Sequence, residues 1–211
     1  MKTLIKVAVL SLLPVLAMAA GGGNKGLDPV DINLADKASL QRGAKTFVNY
    51  CLSCHSAAYM RYERMGNDLG INEQLLRKNL MLATEKPGDT MTVTMSEDGA
   101  KKYFGVVPPD LSLTARSKGP NWIYTYLRSF YWDNSSPTGW NNTLFPNVAM
   151  PHVLYRLQGY REAEFEGAAD GVQHFAGFVE KIPGQMSNEE YDVAIRDLTN
   201  FMVYLLSLIH I

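Results

Sequence analysis

The sequence is short of cysteine, histidine and net charge, and it has no apolar run long enough to span a bilayer. Among 211 residues there are two cysteines and four histidines, and 20 Lys+Arg against 21 Asp+Glu leave a formal charge of −1. A balance so near zero gives no general reason to expect nucleic acid, so any docking by charge must come from local patches. The apolar stretch Val7–Leu16 falls well short of the roughly 20 residues that cross a membrane. No P-loop, dinucleotide glycine fingerprint, heptad pattern or internal repeat is present, which argues against nucleotide-binding and solenoid classes. What remains is one globular domain of ordinary composition, 46% hydrophobic and 19% charged.

The N-terminus carries Lys2 and Lys6, the apolar stretch, and Ala17-Met18-Ala19 as a small-x-small cleavage site. This is the pattern of a secretory signal peptide over residues 1–20. Residues 21–35 open with Gly21-Gly22-Gly23-Asn24-Lys25-Gly26 and read as a flexible leader. Export delivers Cys51 and Cys54 to an oxidising compartment, where an exposed pair ends as a disulfide unless other chemistry claims it.

Between these points the chain reads as mainly α with irregular loops and a small β hairpin. Asp36 or Ser39 can cap a helix whose apolar positions Leu40, Ala44, Phe47 and Cys51 recur at helical spacing. A short helix is expected over Glu73–Leu82, ended by Lys86-Pro87-Gly88-Asp89, after which Met91, Val93 and Met95 alternate as a strand would. Pro108-Pro109-Asp110-Leu111-Ser112 cannot be helix interior. Trp122–Tyr131 has helical spacing, and Asp133–Pro151 is expected to be a long ordered loop. Ser187 and Glu190 form a capping box ahead of Tyr191, Ile195, Leu198, Met202 and Leu205 on one face.

Cys51-Leu52-Ser53-Cys54-His55 is the spacing of covalent haem attachment. Two thiols three apart on a helical turn share a face and can add to the two vinyl groups on one haem edge, and the histidine that follows can bring an imidazole nitrogen to the iron. The rival readings are a thioredoxin-like pair, which expects a βαβ setting, and half of a zinc site, which needs further thiolate or imidazole ligands. For the sixth position, His152, His174, Met81, Met91, Met95, Met150 and Met186 are all conceivable, while His210 lies in a terminal tail. Met150 stands out because Pro146 and Pro151 stiffen the loop that carries it. Arg116 could neutralise a haem propionate, since a buried carboxylate needs a charge-assisted partner.

Taken in order, Cys51-Leu52-Ser53-Cys54-His55-Ser56, Pro108-Pro109-Asp110-Leu111-Ser112 and the run Phe145-Pro146 to Ala149-Met150-Pro151 resemble the cytochrome c1 family of the quinol–cytochrome c reductase (bc1) complex, in its proteobacterial branch. The resemblance implies a cytochrome c-like single-haem domain over residues 36–205 with one covalently bound haem c. It implies that Met150 joins His55 as the second iron ligand and that Arg116 faces a propionate. It implies no catalytic residue in the chain, which would be no enzyme by itself but an electron-transfer subunit. Its partners would be cytochrome b, the Rieske iron–sulfur protein as donor and a cytochrome c as acceptor, at the periplasmic face of the bacterial inner membrane. Methionine–histidine ligation in an apolar surround raises the reduction potential, as a relay downstream of a Rieske centre requires. The family continues past the last helix into a transmembrane anchor, whereas this sequence stops at Ile211, so residues 206–211 are expected to be a truncated or foreign tail. A free periplasmic cytochrome is the alternative within electron transfer.

Overall fold

The computed structural model describes residues 26–93, 95–167 and 173–207. The expected signal peptide, the glycine-rich start of the leader and His210 lie outside the described residues. The elements run α1 (Lys37–Tyr50), β1 (Ala57–Arg61), α2 (Tyr62–Leu69), α3 (Glu73–Asn79), β2 (Thr90–Met91), α4 (Glu97–Phe104), α5 (Thr114–Lys118), α6 (Pro120–Leu127), β3 (Phe130–Trp132), β4 (Trp140–Asn142), α7 (Tyr155–Gln158), β5 (Gly159–Gly167), β6 (Gln173–Pro183) and α8 (Asn188–Ser207). The fold is mainly helical, with three two-stranded antiparallel ladders among the described residues.

Helix α1 starts where the sequence places a cap: the Asp36 carboxylate accepts from the Ser39 amide at 3.0 Å. Helix α8 starts at the capping box, where Ser187 Oγ accepts from the Glu190 amide and Glu190 Oε2 accepts from the Ser187 amide. The two helices pack along their apolar faces, Leu40, Ala44, Phe47 and Val48 against Tyr191, Ile195, Leu198, Phe201 and Leu205, all buried. Each such side chain removed from water stabilises the fold by roughly 1.5–3 kcal/mol.

Their closest approach is at Gly43, where a Cβ would stand 2.1 Å from the Asp197 carbonyl oxygen and 2.7 Å from Phe201 Cβ. The same crossing buries a polar cluster. The Asp197 carboxylate, 1% exposed, accepts from Ser39 Oγ at 2.7 Å and from Arg42 Nε at 2.6 Å. Asn200 donates to Ser39 Oγ and to the Asn33 carbonyl, and accepts from the Asn33 amide. A buried carboxylate without such partners would be strongly destabilising.

Asn33 belongs to the segment expected as a flexible leader. From Asp28 to Asn33 it is instead tied to the body: the Asp28 amide donates to Thr125 Oγ1 and the Val30 amide to Asn121 Oδ1 on α6. Those side-chain oxygens accept from backbone amides that a flexible leader would leave to water.

The strands differ from expectation in three places. Of the alternating stretch Met91, Val93 and Met95, only Met91 lies in a strand, Thr90–Met91, which pairs with β1, Ala57 opposite Met91. The helix expected over Trp122–Tyr131 ends at Leu127, because Phe130–Trp132 pairs with Trp140–Asn142 in the supposed loop. The largest ladder, β5 with β6, was not anticipated although Glu162, Glu164 and Glu166 alternate with Ala163 and Phe165, a period-two pattern. No described helix is long and apolar enough to cross a membrane.

The crossing yields a stability prediction. Gly43→Ala should cost about 1–3 kcal/mol by overpacking, while Gly88→Ala, with nothing within 4 Å of its Cβ position, should be near neutral. Denaturant midpoints followed by circular dichroism separate them; equal midpoints would mean that α1 and α8 do not meet at Gly43.

Candidate functional site

The packing of α1 on α8 delivers the end of α1 to the core, and the cysteines follow at once. Cys51 is the C-cap of α1, its amide donating to the Phe47 carbonyl at 2.8 Å. The chain then makes one more tight turn, with the Cys54 and His55 amides both donating to the Cys51 carbonyl, at 3.0 and 2.8 Å. Both cysteines are free, Cys51 buried and Cys54 half-buried. Burial, and then the neighbouring Cys54, push the Cys51 thiol up to about 12. Thiol–disulfide enzymes attack through a thiol of lowered pKa, so Cys51 is poorly suited to be an attacking thiol. No cluster of three or more His, Cys, Asp or Glu that could hold a metal ion occurs among the described residues.

His55 is oriented by a proline carbonyl. Its Nδ1 lies 2.8 Å from Pro109 O, and a carbonyl can only accept, so Nδ1 carries the proton and Nε2 keeps its lone pair. Burial holds the imidazole pKa below its ordinary value, against the upward pull of that hydrogen bond and of Asp110, which favours the neutral, ligating form. The Pro109 carbonyl is itself held in place. Leu111 donates to the Ser56 carbonyl, Asp110 Oδ2 accepts from the Ala58 amide, and Ser112 Oγ accepts from the Tyr59 amide. Pro108 and Pro109 have no N–H to satisfy, so this segment can run irregularly alongside β1 without orphaned donors.

Met150 sits on a separate loop, laid over α6. Its Sδ accepts from Tyr126 Oη at 3.5 Å, and Tyr126 stacks on Trp122 with ring centroids 4.8 Å apart. Two asparagines shape the loop. Buried Asn142 donates to the Tyr126 carbonyl and accepts from the Leu144 and Phe145 amides. Asn141 Oδ1 accepts from the Asn147 amide at 2.8 Å, and Asn147 adopts φ 60°, a left-handed conformation that asparagine tolerates better than most residues. Tyr126, Trp122 and Leu111 all pack on the one hydrophobic core that also contains Cys51 and Leu52.

The structure thus gathers Cys51, Cys54 and His55 onto one turn against Pro109 and holds Met150 with different elements, α6 and β4. Arg116 lies on α5, exposed and without a hydrogen bond or ion pair from its guanidinium among the described residues. Of the other candidate ligands, Met81 and Met91 are buried core side chains, Met186 packs against the core, and His174 is exposed in the β6 ladder. His152 is buried against aromatic rings. Two surface clefts, of about 420 and 480 Å³, are lined by none of the predicted site residues. Sequence reasoning did not find Tyr126, Asn141, Asn142 or the role of the Pro109 carbonyl; the paired asparagines beside Trp140 in a proline-framed loop were the available signal.

These residues fit a covalently held haem. Two unpaired thiols share one turn, the adjoining histidine is fixed in the tautomer that leaves Nε2 free, and the surrounding side chains are apolar or aromatic. A sequence model of the Cytochrome C1 family matches residues 31–173. The chain is 50% identical over 206 residues to cytochrome c1 of Allochromatium vinosum, covering 97% of this chain and 84% of that one. It is 48% identical to a Nitrosomonas europaea protein named ammonia monooxygenase gamma subunit, over 96% of this chain and 83% of the other. Cytochrome c1 of Rhodospirillum rubrum is 30% identical over 124 residues, 50% of this chain and 46% of that one.

Asn142→Ala removes one donor and one acceptor that together serve three backbone groups of the loop. It should destabilise the protein by about 1–3 kcal/mol and speed proteolysis within residues 143–149. A wild-type cleavage rate in that segment would contradict its role as the scaffold of the loop.

Proposed function

The chain belongs to the Cytochrome C1 family, and on that premise we propose that it is the electron-transfer subunit of a quinol–cytochrome c reductase (bc1) complex. It takes electrons one at a time from the Rieske iron–sulfur protein and passes them to a cytochrome c. It is no enzyme by itself. Its haem domain stands beside cytochrome b at the periplasmic face of the inner membrane. The observation that carries this reading is the Cys51–His55 turn with His55 Nδ1 committed to Pro109 O, beside two free thiols.

Haem, when bound, supplies a ferric–ferrous couple that moves one electron without bond making in a substrate. Cys51 and Cys54 would hold it through thioethers, which would also remove two thiols that the compartment would oxidise. His55 would hold the iron through Nε2, with the Pro109 carbonyl orienting its ring. Met150 would hold the iron through its thioether sulfur, which the Tyr126 hydroxyl steadies. Arg116, free of any intramolecular acceptor among the described residues, is available to a propionate. Core side chains around Cys51 and Leu111 exclude water, which favours the less charged ferrous state and a high potential.

A second reading follows from the relative named as an ammonia monooxygenase subunit. The same site would then relay electrons within a different assembly. Affinity purification of the full-length tagged protein from detergent-solubilised membranes distinguishes them: cytochrome b and a Rieske protein should co-purify. Recovery with a monooxygenase and without cytochrome b would overturn the bc1 assignment.

Met150→Leu should leave the haem attached and lower the midpoint potential by on the order of 0.1–0.3 V, a fraction of the roughly 0.8 V over which axial ligands tune haem. His55→Ala should abolish the low-spin centre. Redox titration and optical spectra check both, and an unchanged potential in Met150→Leu would move the sixth ligand elsewhere.

A further inference from the structure

Met150 and His152 are two residues apart, separated only by Pro151, and one aromatic wall grips both. On one side Tyr126 Oη donates to Met150 Sδ at 3.5 Å. Tyr126 meets Phe130 edge-on, centroids 5.1 Å apart, and Phe130 stacks flat on the His152 ring at 4.9 Å and 5°. Trp140 meets the imidazole in an edge-type contact, 5.1 Å away at 75°. The path Met150, Tyr126, Phe130, His152 and back through Pro151 is therefore a closed ring of contacts. Pro151 offers no amide to anchor this stretch; the His152 carbonyl accepts from the Tyr155 amide, and side chains supply the contacts of that ring.

His152 is 2% exposed. In the amide orientation that satisfies its neighbours, Gln158 donates to His152 Nε2 at 2.8 Å and accepts from Arg161 Nη1 and Nη2 at 3.2 and 3.1 Å. Arg161 is fixed in turn by the Phe130 carbonyl, which accepts from its Nε at 2.9 Å, and by the Arg128 carbonyl, and its guanidinium lies 3.6 Å from the Phe178 ring centroid. A polar chain thus runs from β5 through α7 to the residue that anchors the methionine loop, and its last link is a neutral imidazole nitrogen.

We infer that His152 is a positioning residue for Met150, holding the thioether at the iron through the Phe130–Trp140 aromatic box and the Gln158–Arg161 clamp. This rests on the reading of Met150 as the axial ligand and deepens it. A loop pinned on only one side of Pro151 would let the sulfur swing away, and the iron would open to exogenous ligands. Pinned on both sides, it stays closed.

The test uses the holoprotein in its complex, with the ferric thioether-to-iron absorption band and carbon monoxide binding to the ferrous form as readouts. His152→Ala, which loses both the stack and the hydrogen bond, should weaken the band and accelerate carbon monoxide binding about tenfold. His152→Phe, which keeps the stack, and Gln158→Met, which removes the donor, should each shift both readouts in the same direction by less. They carry the test if His152→Ala does not assemble. Wild-type band and carbon monoxide inertness in all variants that assemble would overturn the role of His152. Met150→Leu is run alongside: retention of the thioether band there would overturn the axial assignment itself, a result distinct from failure of the positioning role.

Discussion

The approach of α1 to α8 at Gly43 is the constraint on which the rest of this structure depends. With only a hydrogen at Gly43, the α8 backbone at Asp197 can touch α1, and Phe47 meets Phe201 with centroids 5.5 Å apart. The crossing also buries a carboxylate, which accepts from Ser39 and pairs with the Arg42 guanidinium, while Asn200 donates to Ser39 Oγ. No hydrogen bond or ion pair links this cluster to the cysteines among the described residues. Yet it sets the direction in which α1 points, and so where the Cys51–Cys54 turn emerges and which face of the core it meets.

From that fixed point the site divides into two halves of different physical character. The attachment half is made of backbone: a tight turn, a proline carbonyl on the histidine, and amides laced to Asp110 and Ser112. It has little freedom because its hydrogen bonds are local or shared with β1. The methionine half is made of side chains, with aromatic rings from α6, β3 and β4 and two buried asparagines. Its geometry depends on packing, which is why several residues must cooperate to hold one sulfur atom. If His55 and Met150 both hold the iron, as proposed, a rigidly held histidine and a well-packed thioether would suit an electron relay, since little reorganisation would accompany the change of iron charge.

How much of this was legible in the sequence followed from the range of the interactions. The haem-attachment turn, the Asp36 cap and the Ser187–Glu190 capping box are contiguous patterns, and each was readable because the physics acts within a few residues. The proline-framed Met150 loop was visible as a loop but not as a structure. Its shape depends on Asn142 reaching Tyr126, sixteen positions away, and nothing local to either residue announces that pairing. Similarly, Thr90–Met91 found its partner in β1 rather than in the adjacent residues, and the leader's Asp28 and Val30 found α6 across more than ninety residues. The β5–β6 ladder is a different case: its alternation was local and present, but its glutamates and half-exposed phenylalanines give it a solvated look that a search for buried strands passes over. Family membership adds what geometry alone does not, namely that the turn at Cys51 belongs to a lineage of covalently haem-bearing chains.

The most direct measurement is whether haem remains with the polypeptide when all non-covalent contacts are destroyed. The full-length protein is denatured, extracted with acidified acetone, and its alkaline pyridine spectrum is recorded beside a thiol titration. The account predicts a c-type haemochrome at one haem per chain with neither Cys51 nor Cys54 titratable. A colourless chain with both thiols titratable after reduction would contradict it.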